Sequence, residues 1–92
     1  MPQESVDLEI NNQLGLHARP ASAFVRVASS FDAEIVVEKD GEAVNGKSLI
    51  GLLMLAAGYR SNIKITANGE DANEALSALR NLVANDNEFN QE

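Results

Sequence analysis

Three short stretches of this chain alternate apolar with polar residues: Val6, Leu8 and Ile10 around Asp7 and Glu9, AEIVVEK (33–39) around Ile35 and Val37, and NIKITA (62–67). A period of two gives a strand one apolar and one polar face. Such strands do not suit a parallel sheet, whose strands are covered on both sides and read as continuous apolar runs. They fit an antiparallel sheet with one face on a core and the other in water. KDGE (39–42) supports this, because Asp40-Gly41 is a two-residue hairpin turn leading into a short strand around Ala43 and Val44.

Helical patterns fall between the strands and must cover the apolar face. From Ala18 to Ser30 the apolar residues at 21, 24, 25 and 28 follow helical spacing, with Phe24 as the main anchor. Ser48 is placed to cap a short helix, LIGLLMLAA, that ends at Gly58. Asn68-Gly69 turns the last strand over. Asp71, with Glu74 three residues on, resembles a capping box for a helix whose Ala72, Ala75, Leu76, Leu79, Leu82 and Val83 form one stripe. The expected order is βαββαβα, an α+β open-faced sandwich: a four-stranded antiparallel sheet covered on one face by three helices.

Ninety-two residues make one domain, 1–92, able to bury roughly 60–65% of the surface of its unfolded chain. The core is expected over about 5–84. The tail 85–92, NDNEFNQE, lacks an apolar period and is expected to be mobile. No cysteine is present, which excludes disulfides, thiolate metal sites and a cysteine nucleophile; a single histidine makes a metal centre poor. The net charge of −7 argues against nucleic acid or an anionic membrane as the main partner. MPQESVDLEI has neither a basic start nor an apolar run, so the expected location is the cytoplasm.

The only histidine lies in GLHARPAS (15–22). Gly15 lets the chain turn sharply, the helix starts at or just after His17, and Pro20 falls in its first turn, where no intrahelical hydrogen bond is lost. Proline disfavours the α conformation at Arg19, a mild strain beside the histidine. The amides of Ala18 and Arg19 and the positive end of the helix make an anion site of about 0.3–1 kcal/mol, to which the Arg19 guanidinium can add a bidentate grip. So weak a hold suits a group that must leave again. The same field disfavours imidazolium, leaving His17 neutral with a lone pair free to attack.

GLHARPAS and GEAVNGKSLIGLLMLA (41–56) resemble the active-site and regulatory-serine signatures of the HPr family, the histidine-containing phosphocarriers of the bacterial phosphoenolpyruvate:sugar phosphotransferase system. The element order agrees with the HPr fold, and the resemblance spans about residues 5–84. It implies a stoichiometric carrier, not an enzyme, with no cofactor and no metal. His17 would take a phosphoryl group on Nδ1 from phospho-enzyme I and give it to the IIA domains of sugar permeases. Ala18 and Arg19 would hold the phosphate. Many relatives carry Asn or Ser three residues before the histidine, where this chain has Leu14; that polar contact cannot form here.

The resemblance further implies that Ser48 is phosphorylated by HPr kinase/phosphorylase in bacteria that possess one, and that a transcription factor can bind the phosphoserine form. As a residue, Ser48 is first an N-cap, and a phosphate there would be favourable. In the short helix Leu52 and Leu55 fit the core, leaving Leu49, Ile50 and Leu53 partly in water. With Pro20, Arg19, Arg26 and Lys47 around them, they are expected to form a docking patch that enzyme I and IIA domains share. The chain is expected to be a monomer. The alternative function is a regulatory HPr-like adaptor, or a nitrogen-related phosphorelay carrier, acting mainly through protein binding. Adaptor paralogues typically lack the histidine.

Overall fold

The computed structural model describes residues 3–9, 18–55 and 62–85; of residues 18–20 and 85 it describes the backbone alone. Seven elements follow in the expected order: β1 (Gln3–Glu9), α1 (Ala18–Ser29), β2 (Glu34–Lys39), β3 (Glu42–Asn45), α2 (Leu49–Leu55), β4 (Asn62–Asn68) and α3 (Ala72–Asn85). The predicted Ile10, the end of the second helix at Gly58 and the tail from residue 86 lie outside the described residues. Among the described residues no helix is long and apolar enough to cross a membrane.

The four strands form one antiparallel sheet in the order β1-β4-β2-β3. Register sorts the side chains as the alternation requires. Val6, Ile65, Val37 and Val44 make one row across the sheet on the core side, and Asp7, Lys64, Glu38 and Ala43 make the next row on the open side. Both turn residues of the β2–β3 hairpin have positive φ, Asp40 at 53° and Gly41 at 85°. That is the conformation Asp-Gly adopts most readily. Gly46 closes the hairpin by donating its N–H to the Ile35 carbonyl at 2.7 Å. A Cβ there would lie 2.5 Å from Ile35 Cγ2, so only glycine fits.

The three helices lie on one face. α3 packs on β1 and β4, α2 packs on β3 and β2, and α1 touches both other helices. Ala21, Phe24 and Ala28 of α1 are buried with Leu52 and Leu55 of α2, and so is the whole stripe predicted for α3. Ala23 is buried too and Val25 only half-buried, so α1 turns slightly from the predicted face.

The start of α3 differs from the expected capping box. The Asp71 carbonyl accepts from Ala75 and begins the helix. The Asp71 carboxylate, however, accepts from the backbone N–H groups of Asp32 and Ala33, both at 2.8 Å. The loop after α1 leaves those amides without a strand partner, and their claim outweighs a local cap.

Candidate functional site

α1 begins at Ala18, so His17 is the residue immediately before a helix of 12 residues. His17, Gly15 and Leu14 lie outside the described residues, and Ala18, Arg19 and Pro20 are described as the first three backbone positions of α1. The first amides of any helix lack intrahelical partners, and here the third residue is a proline with none to offer. No acidic residue stands in the first turn. Among the described residues, the first turn of α1 itself therefore supplies no counter-charge to its positive end. Burial of Ala21, Phe24 and Ala28 fixes the direction in which that end points.

Ser48 stands at the start of α2 as its N-cap. Its Oγ accepts from the Gly51 N–H at 3.0 Å, and its carbonyl accepts from Leu52 at 3.0 Å. The turn leading in is self-bonded: Asn45 Oδ1 accepts from the Lys47 N–H at 2.9 Å, and the Asn45 carbonyl accepts from the Ser48 N–H at 3.0 Å. A Cβ on Gly51 would meet Ser48 Oγ and Val44 Cβ, each at 3.3 Å. The glycine therefore leaves the hydroxyl uncrowded.

The α2 surface divides as its spacing predicts. Leu52 and Leu55 are buried; Leu49, Ile50 and Leu53 are exposed at 37%, 69% and 38%. Met54, at 76%, continues the exposed arc. Sequence reasoning left it out, although its position one turn after Ile50 signals the same side. Arg26 is exposed in the last turn of α1. Lys47 is half-buried and donates its ammonium to the Phe31 carbonyl at 2.7 Å. Its charge is spent at the C-terminal end of α1, where it meets the negative end of the helix. Of the basic side chains expected around the patch, Lys47 is thus held inside the fold.

Residues 4–85 match the family model described as the PTS HPr component phosphorylation site. The chain belongs to the HPr family. The Phosphocarrier protein HPr of Neisseria meningitidis serogroup A is 46% identical over 76 residues, 83% of this chain and 85% of that protein. The HPr-like protein Crh of Halalkalibacterium halodurans is 47% identical over 72 residues, 78% of this chain and 86% of that one. The crystal structure of HPr from Thermoanaerobacter tengcongensis superposes with a TM-score of 0.88 at 43% identity, covering 97% of this chain and 98% of that chain. The family is that of the phosphotransferase-system phosphocarriers, and it also holds HPr-like proteins named Crh. The four-stranded open sheet with three helices is the HPr fold.

Proposed function

We propose that this chain carries a phosphoryl group on His17, taking it from phospho-enzyme I and handing it to IIA domains of sugar permeases. The observation that carries the reading is a histidine placed directly before a helix whose first turn holds Arg19, Pro20 and no acid. In the transfer, the N–P bond on the histidine of enzyme I breaks as the N–P bond to Nδ1 of His17 forms. No atom is oxidised or reduced. The amides of Ala18 and Arg19 face the phosphate oxygens, and the Arg19 guanidinium offsets their charge; positioning and electrostatics supply the catalysis. The presence of His17 favours this reading over a pure adaptor.

The exposed Leu49, Ile50 and Leu53 supply the docking surface, with Pro20, Arg19 and Arg26 along α1. Sharing one surface makes enzyme I and IIA domains mutually exclusive. Ser48 is the regulatory site, phosphorylated where an HPr kinase/phosphorylase is present and then read by a transcription factor. Lys47, the residue before Ser48, is tied to the C-terminal end of α1 through the Phe31 carbonyl. α1 is about 18 Å long, more than the Debye length of about 8 Å at physiological salt. A phosphate on Ser48 therefore acts on docking and not on the chemistry at His17.

The test is incubation with phosphoenolpyruvate and enzyme I, followed by intact mass under non-acidic conditions. One acid-labile phosphoryl group is expected, absent in His17→Ala. A label that persists in that variant sinks the assignment.

A further inference from the structure

Met54 is the most exposed large apolar side chain among the described residues, 76% accessible. With Leu49, Ile50 and Leu53 it fills one continuous arc of α2, opposite the buried Leu52 and Leu55. Its other flank overhangs a groove of about 370 Å³ lined by Glu42, Ala43, Val44 and Leu55. The sequence has two methionines and no cysteine, so no thiol competes for an oxidant. Among the described residues, the thioether of Met54 is the soft, oxidisable atom that the folded surface presents.

We propose that Met54 is a site of reversible oxidation by peroxides, and that its sulfoxide closes the α2 docking patch. A sulfur lone pair attacks one peroxide oxygen, the O–O bond breaks and an S–O bond forms. The proton on the transferred oxygen goes to the leaving hydroxide. Sulfur loses two electrons, and hydrogen peroxide is reduced to water. The effect on the fold is nil, because Met54 already stands in water while α2 is held by Leu52, Leu55 and the Ser48 cap. The effect on docking is large, because a sulfoxide oxygen set among Leu49, Ile50 and Leu53 must lose its water without gaining a donor from them. This inference rests on the docking role proposed for α2.

The full chain is treated with hydrogen peroxide, and peptide mass mapping separates Met54 from Met1. Phosphorylation of His17 by enzyme I is then measured across chain concentrations. One oxygen on Met54 is expected, with unchanged Tm, unchanged kcat and KM raised about tenfold. Methionine sulfoxide reductase with dithiothreitol restores KM, and Met54→Leu, whatever its own KM, shows no change in it on peroxide treatment. The proposal is overturned if Met54 resists peroxide, if KM does not move, or if treated Met54→Leu loses as much. An untreated chain that accepts no phosphoryl group overturns the carrier reading and this one with it. An untreated chain that is phosphorylated normally, with an oxidised chain to match it, overturns only this one.

Discussion

α1 and α2 begin in opposite ways. At α2 the Ser48 hydroxyl takes the Gly51 amide, and the preceding turn is closed by Asn45. At α1 the residue before the helix is a histidine, which is not among the common capping residues, and the first turn has a proline and no acid. The capped start is complete in itself and receives an anion only if the phosphate is attached to the cap. On the proposed reading, the other start serves an anion that arrives and departs. α3 adds a third case, in which the acid that looks like a cap serves the distant amides of Asp32 and Ala33.

The largest effect expected from breaking this contrast is at the first start. His17→Ala should abolish phosphorylation by enzyme I while the Tm holds, checked by intact mass and thermal melting. Arg19→Ala should slow transfer by about 10²-fold, the cost of losing one group that stabilises developing charge. Arg19→Lys should recover part, because an ammonium is a point charge without the bidentate fork. Rapid-quench transfer rates decide it: equal rates in all three proteins would remove Arg19 from the chemistry.

At α3 the consequence should be structural alone. Asp71→Ala leaves two amides without their carboxylate and should cost about 2 kcal/mol, a fall in Tm of roughly 8–16 °C for a chain of this size. Transfer to His17 at 25 °C should stay at the wild-type rate. A slowed rate with unchanged Tm would reverse the roles assigned to the two helix starts.

What was legible in the sequence was local. The Asp40-Gly41 turn, the alternation of Ile35 and Val37, the Ser48 cap and the two sides of α2 all depend on neighbours within a few residues. The strand order was not legible, since β1 pairs with β4 across most of the chain. Neither was the use of Asp71, whose partners lie 38 and 39 residues away, nor that of Lys47, whose ammonium reaches a carbonyl 16 residues back. Periodicity carries no information on which loop a charged side chain will meet. The candidate site can be proposed from sequence for a different reason: its residues stand consecutively, GLHARPAS, so the motif is read without the fold.

The smallest effects belong to Ser48, where cap and charge can be separated. Ser48→Ala removes the hydroxyl from the Gly51 amide and should cost about 1 kcal/mol, with phosphorylation of His17 unaffected. Ser48→Asp restores an equally good cap and adds a negative charge at the positive end of α2, so its Tm should match wild type. The Lys47 ammonium is held on the Phe31 carbonyl and does not neutralise that charge in place. On the proposed docking reading, with an acidic partner face, the new carboxylate stands beside Leu49 and Ile50 at the contact, and KM should rise a few-fold at low salt with kcat unchanged. Raising the salt toward 1 M shortens the Debye length to about 3 Å and should bring the two KM values together. A deficit in kcat, or one that persists at every ionic strength, would show that the charge at Ser48 acts on the transfer chemistry or on the helix itself and not through docking.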